Sequence, residues 1–244
     1  MMIQKLAWDS KFFLKKIARI SVLHKTSIEK LRSSIETLFN KGSECIYVEI
    51  PKNKQSLIKY CNKQNFFLAD KKLILKKDKL TNRNNLENIK EFISKKSLSQ
   101  IFDITDEISL VSRFHKDPKF RPLAKNLYRQ WVENAIFHHY CDKYFIYFEK
   151  HSPLGIIILK SKNKKMFIDL FGVHKDFRRK GIGTNLITKA ESWTRGNNFN
   201  SLYVPTQLNN KIALKTYRKT GFRNFEEIYI YHIWKEKYET YTIQ

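Results

Sequence analysis

Two spacings of apolar residues alternate along this chain. Residues recur every three or four positions at Ile28, Leu31, Ile35, Leu38 and Phe39, at Leu57, Ile58 and Cys61, and at Leu86, Ile89, Phe92 and Ile93. The same spacing returns at Leu127, Tyr128, Trp131, Val132 and Ala135, and at Leu186, Ile187, Ala190 and Trp193. Each set makes one face of a helix. Between them lie short runs rich in β-branched and aromatic residues, at 17–20, 45–50, 66–68 with 73–75, 144–149, 155–160, 167–173 and 201–204, which read as strands. The opening Leu6–Phe13 reads as a turn. Thr26-x-x-Glu29 forms a capping box before the first helix, Pro51 stops a strand, and Ser152-Pro153 and Asn163 mark turns.

The order up to residue 80 is β-α-β-α-β. A polar Lys/Asn-rich stretch from Lys76 to Asn85 reads as a linker leading into a helix through Ile93. From about residue 100 the order is helix, helix, three strands, helix, strand, helix, strand. These patterns predict a lobe over 1–80, a linker helix within 81–99 and a larger domain over 100–244. The fold class is α/β (α+β), a mixed central sheet with flanking helices.

The net charge is +24 and its excess is spread along the chain. A nucleic-acid binder concentrates such charge in a stripe, an arm or a known module, and none is visible, so a nucleic-acid partner is not expected. The charge is either a solvated basic surface or an attractant for anionic ligands. No run of about 18 apolar residues exists and no cleavable leader is seen at the N-terminus, which predicts a cytoplasmic protein without a membrane span. Cys45, Cys61 and Cys141 are widely spaced, and the adjacent His138 and His139 are badly placed for joint ligation from one helix face. The reading is reduced cysteines and no metal.

The most informative stretch joins the strand ending at Phe171 and Val173 to the helix carrying Leu186. It passes through Arg178-Arg179-Lys180-Gly181-Ile182-Gly183 and Thr184. Glycines at 181 and 183 free the backbone so that amides converge at a helix start, where unpaired donors and the dipole favour a phosphate. The spacing is neither that of an NTPase loop nor Gly-x-Gly-x-x-Gly. Arg178-x-x-Gly181-x-Gly183 resembles the pyrophosphate motif of the GNAT superfamily of N-acetyltransferases. Downstream, Asn210-x-x-Ala213-x-x-x-Tyr217-x-x-x-Gly221-Phe222 resembles that family's second motif.

The resemblance implies a GNAT acetyltransferase fold, preceded by a truncated GNAT-like lobe, and acetyl-CoA as co-substrate. It implies that Phe171 and Val173 line the coenzyme, with the Val173 amide as oxyanion donor, and that the backbone from Arg178 to Thr184 holds the pyrophosphate. Asn210 steadies the pantetheine arm or the adjoining helix turn. Tyr217 is the general acid toward the leaving sulfur, against a purely packing role. Asp169 is weighed as a base against a solvent-facing or lysine-paired role.

Three local stretches narrow the resemblance. Trp8-Asp9-Ser10-x-Phe12-Phe13, Ser112-Arg113-Phe114 with Tyr128-x-x-Trp131-Val132-Glu133-Asn134-Ala135, and Pro205-Thr206-Gln207 running into the second motif look like the dTDP-fucosamine acetyltransferase family. The implied acceptor is the 4-amino group of a nucleotide-linked 4-amino-4,6-dideoxyhexose. Arg113 and Arg121 would grip its diphosphate, and Tyr128 or Trp131 would stack on its base or pack in the core. A protein amine, another amino sugar or another small-molecule amine as acceptor, and a nucleic-acid-binding protein with a vestigial site, are the rival readings, and a homodimer stays open.

Overall fold

The computed structural model describes residues 1–82, 86–94 and 97–242. In chain order the elements are β1 (Met2–Lys5), α1 (Ala7–Phe13), β2 (Ile17–Ser21), α2 (Ile28–Asn40), β3 (Cys45–Pro51), α3 (Gln55–Lys63), β4 (Phe67–Lys77) and β5 (Ile89–Lys90). They continue as α4 (Leu98–Leu110), α5 (Arg113–Lys116), α6 (Ala124–Phe137), β6 (Lys143–Glu149), β7 (Ser152–Lys162) and β8 (Lys165–Val173). The last are α7 (Ile182–Gly196), β9 (Leu202–Gln207), α8 (Lys211–Lys219), β10 (Arg223–Trp234) and α9 (Lys235–Thr242). The chain divides into two compact units: Met1–Lys72 with Lys116–Leu123 and Glu226–Gln244, and Leu73–His115 with Ala124–Phe225.

In the first unit β1 lies antiparallel to β2, β2 parallel to β3, and β3 antiparallel to the end of β10. Leu31, Ile35 and Leu38 of α2 and Leu57 of α3 bury against Ile20, Ile46, Val48, Ile50 and Tyr231. The cap of α2 is Ser27, whose hydroxyl accepts from the Lys30 amide at 3.2 Å, not Thr26 of the expected box. Thr26 instead accepts from the Leu23 amide at 3.3 Å. The expected opening turn is strand β1 and helix α1. Asp117 is buried here: Oδ2 meets His232 Nδ1 at 2.8 Å and accepts from Trp234 Nε1 at 3.0 Å, while Oδ1 accepts from the Lys119 amide at 3.0 Å. Burial pushes this carboxyl up, but the bonds from His232, Trp234 and Lys119 outweigh it and hold it below the usual carboxylate value.

In the second unit the strand order is β4-β9-β8-β7-β6-β5. Asn163 and Lys164, both at positive φ, make the tight turn between β7 and β8. The turn before β7 falls at Lys150–His151, since Ser152 already pairs with Glu149. Helix α7 packs on β7 so closely that a Cβ on Gly155 would lie 2.9 Å from Leu186 Cδ1. A Cβ on Gly172 would lie 2.6 Å from Ile104 Cγ2 of α4. The Glu191 carboxylate of α7 is buried and fully used: it takes Lys77 Nζ at 2.7 Å and the Thr81 amide and hydroxyl at 3.0 and 2.8 Å.

The linker helix expected within 81–99 is not formed over the described residues 86–94. Ile89–Lys90 is a short edge strand antiparallel to β6, the Phe148 amide donates to the Asn88 carbonyl at 2.7 Å, and helix begins only at Leu98. Four apolar residues over eight positions satisfied a helical period by coincidence, and sheet pairing won. Phe92 is correspondingly exposed. The compact units also break at 72/73 and 115/116 rather than at 80 and 100, because the end of β10 and residues 116–123 complete the first unit. Among the described residues no helix is long and apolar enough to cross a membrane.

Asp117→Ala removes, in a buried site, the acceptor of the Trp234 indole and the Lys119 amide and the carboxylate that meets His232 Nδ1. It is expected to destabilise the first unit by roughly 3 kcal/mol in denaturant unfolding at neutral pH. Because the Asp117 carboxyl is depressed, that advantage is lost as pH falls below the ordinary carboxylate range, so the gap between variant and parent closes there. Gly172→Ala is expected to cost about 1–3 kcal/mol by forcing α4 off the sheet, read in the same way.

Candidate active site

Strand β8 determines the site. Its pairing with β7 shifts between Ile158, opposite Leu170, and Leu159, opposite Ile168, so Asp169 is an extra residue in a bulge. Before the bulge Met166 and Ile168 face the core shared with Ile182 and Leu186 of α7. After it, Phe171 and Val173 take that face, against Gly183, and Gly172 faces α4. One inserted residue thus turns two odd-numbered side chains toward the start of α7.

The same ladder fixes where the backbone of β8 points. The His174 amide donates to the Leu154 carbonyl at 2.9 Å, which makes 154 and 174 a hydrogen-bonded pair. By the antiparallel alternation, Gly155/Val173 and Ile157/Phe171 are then non-hydrogen-bonded pairs. The N–H and C=O groups of Phe171 and Val173 therefore point away from β7, toward the side where β9 runs. But β9 pairs with β8 only at Met166–Leu202 and Phe167–Tyr203. Beyond that point the strands have parted, and the polar groups of Phe171 and Val173 open into the gap.

The start of α7 lies against the same strand end. Gly181 caps the helix at φ 83°, with no side-chain cap, and a Cβ placed there would meet nothing within 4 Å. Arg179 is also left-handed, at φ 66°. The first helical bond recorded at this end runs from the Asn185 amide to the Gly181 carbonyl at 3.0 Å. The amides of residues 179 to 184 have no backbone acceptor among the described residues. A Cβ on Gly183 would come 3.1 Å from Phe171 Cζ, so the helix start sits directly on the strand end. Ile182 turns its side chain into the core beside Gly155 and offers only its backbone to the turn. Arg179 and Lys180 are exposed at this corner.

Arg178 plays a different part. Its Nε donates to the Val173 carbonyl at 3.1 Å, and its Nη2 is paired with Glu107 of α4. Sequence reasoning missed Glu107, which lies 71 positions away and carries no local signal. Tyr217 on α8 is buried, its ring 5.8 Å from those of Phe171 and Phe222. Burial pushes its phenol well above the ordinary value, so it is held protonated. Asn210 caps α8, its side-chain oxygen accepting from the Ala213 amide at 3.2 Å, which is the helix-turn role of the two considered.

Phe171, Val173, residues 178–184 and Tyr217 thus come together, with Asn210 at the base of the Tyr217 helix. The acceptor-side residues do not form one group. Arg113 stacks over the adjacent Phe114 at 4.6 Å, and Tyr128 is buried 5.7 Å from the ring of Trp131. Arg121 belongs to the first unit, with Nη2 3.5 Å from the Lys116 carbonyl. Trp131 does more than pack: its Nε1 donates to Asp169 Oδ2 at 2.9 Å. Burial pushes the Asp169 carboxyl up, opposed by Trp131 and by Lys160 and Lys162. Burial likewise raises the thiols of Cys61 to about 12 and Cys141 to about 11. Among the described residues no group of three or more His, Cys, Asp or Glu is arranged to hold a metal.

A parted strand edge with outward-facing amides at Phe171 and Val173, ending at an uncapped, glycine-started helix, suits an extended ligand with amides along its length and phosphate at one end. Residues 104–222 match the model of the acetyltransferase (GNAT) family. Enzymes of this family use acetyl-CoA, whose pantetheine and pyrophosphate meet that description; the open space at Gly181 and the free amides of 179–184 fit it. Streptothricin acetyltransferase A of Bacillus subtilis is 37% identical over 79 residues, 32% of this chain and 46% of that protein. The spore coat polysaccharide biosynthesis protein SpsD of the same organism is 26% identical over 129 residues, 52% of this chain and 44% of that protein. The chain therefore spans less than half of either relative. A GCN5-related N-acetyltransferase from Sphaerobacter thermophilus has the same fold, with a TM-score of 0.60 at 9% identity over 95% of this chain and 76% of that one.

A phenol held protonated by burial contributes stability that is present below its unfolded pKa, about 10, and lost as pH rises through the folded value. Tyr217→Phe is therefore expected to lose less stability than the parent on going from pH 9 to pH 11, measured by thermal melting. Ultraviolet titration should show the Tyr217 phenol ionising after the exposed tyrosines.

Proposed function

We propose that this protein is an acetyl-CoA-dependent N-acetyltransferase. Its acceptor is the 4-amino group of a nucleotide-linked 4-amino-4,6-dideoxyhexose used in surface polysaccharide synthesis. The observation that carries the transferase reading is the opening of β9 from β8, which leaves the Phe171 and Val173 amides aimed into a gap beside the bare start of α7. The acceptor class is supported by the local resemblances at 8–13, 112–135 and 205–217 and by the likeness to SpsD, a polysaccharide biosynthesis protein.

The bound thioester supplies an activated acetyl group. The amides of 179–184 hold the diphosphate, aided by Arg179 and Lys180. The Val173 amide donates to the carbonyl oxygen as negative charge develops on it, an interaction worth about 3 kcal/mol. Tyr217 donates a proton toward the sulfur as the C–S bond breaks. A phenol this weakly acidic cannot release its proton ahead of cleavage, so donation and bond breaking are concerted. Arg113 and Tyr128, both of the second unit, are assigned to the diphosphate and base of the acceptor. The +24 charge raises the local concentration of both anionic substrates.

Incubation with acetyl-CoA and a panel of dTDP- and UDP-linked 4-amino-4,6-dideoxyhexoses, read by mass, should show one acetyl group added to the sugar amine. Acetylation of peptides alone would overturn the acceptor class, and no transfer to any amine would overturn the enzyme. Tyr217→Phe should lower turnover by about 10²- to 10⁴-fold with acetyl-CoA binding kept.

A further inference from the structure

We propose that Glu107 of α4 is a positioning residue for acetyl transfer: it holds the Arg178 guanidinium on the Val173 carbonyl, so that the end of β8 offers the thioester its amide alone. The assignment rests on the acetyltransferase reading above. It adds to that reading a residue 71 positions from the glycine corner's first arginine.

Glu107, Val173 and Arg178 all belong to the second unit. Helix α4 reaches the end of β8 because Gly172 has no side chain: a Cβ there would lie 2.6 Å from Ile104 Cγ2 and 2.7 Å from Ile108 Cδ1. Glu107 follows Ile104 by three positions and shares its face. Its carboxylate pairs with Arg178 Nη2, while Arg178 Nε donates to the Val173 carbonyl at 3.1 Å. One planar fork thus ties the helix to the strand end, which the single nitrogen of a lysine could not do in the same geometry. A carboxylate in the last turn of α4 works against the helix dipole, so its place answers to Arg178 rather than to the helix.

The Val173 peptide groups decide what this contact does. Because Gly155 and Val173 are a non-hydrogen-bonded pair, the amide and the carbonyl of Val173 both face the gap. An uncovered carbonyl there would set the negative end of a dipole beside the oxygen on which charge develops. Arg178 covers it and leaves the donor. The same contact keeps this cation from the diphosphate, although Arg178 adjoins residues 179–184 in the chain. A released guanidinium would grip the diphosphate through two parallel hydrogen bonds. Glu107 therefore favours turnover over coenzyme affinity.

The Arg178 and Glu107 side chains are 39% and 30% exposed, so their pairing adds little to stability. Glu107→Ala should melt within about 4 °C of the parent. The test compares the parent, Glu107→Ala, Glu107→Gln, Arg178→Ala and the double alanine variant. Acetyl-CoA binding is read by calorimetry, and kcat with the amine, from a panel of the nucleotide-linked sugars above and peptides, that the parent acetylates fastest. Glu107→Ala should bind acetyl-CoA about three- to tenfold more tightly. Its kcat should fall about tenfold. In the Arg178→Ala background the same substitution should change neither quantity by more than about twofold, because Glu107 acts only through Arg178. Glu107→Gln keeps an oxygen for Nη2 and should turn over faster than Glu107→Ala. Unchanged kcat and acetyl-CoA affinity in Glu107→Ala, or an equal loss of kcat with Arg178 already removed, overturns the assignment while the transferase stands. So does a larger fall in melting temperature with kcat and affinity lost together, the mark of a packing role. A parent protein that acetylates no amine removes the reading beneath it and the assignment with it.

Discussion

A strand edge must hydrogen-bond to something, and β8 has been deprived of its partner where it matters. Over Met166 and Phe167 the pairing with β9 is normal. From Phe171 onward the ladder with β7 sends alternate peptide groups outward, where no strand waits among the described residues. A ligand that carries its own amides can take the place of the missing strand. The rest of the site follows: the α7 start must lie at the end of that edge, and the phenol of α8 must sit across from it.

Much of this was legible because it is local. The glycine corner at 181 and 183 and the asparagine-to-tyrosine spacing from 210 to 217 are short-range patterns with short-range causes. They gave the helix start, the cap of α8 and the buried ring in the right places. The period-two runs gave β3, β6, β7 and β8 within a few residues.

What was not legible is contact between distant segments. The pairing of Arg178 with Glu107 and of Asp169 with Trp131 joins side chains separated by 71 and 38 positions. The bulge that reverses the face of β8 is invisible to simple alternation, because one extra residue leaves the apolar composition unchanged. Residues 86–93 failed for the opposite reason: a helical period was present, but the neighbouring edge of β6 offered better use of the backbone. Likewise the C-terminal strand is needed by the first unit, and no composition shift announces that.

The two glycines at adjacent rungs of the β7–β8 ladder have a mechanical consequence. Gly155 admits α7 and Gly172 admits α4, so two helices touch the sheet backbone at neighbouring positions beside Val173. Little give is left in the anvil itself. The corner at 178–181 is far less confined, since a Cβ on Gly181 would meet nothing within 4 Å.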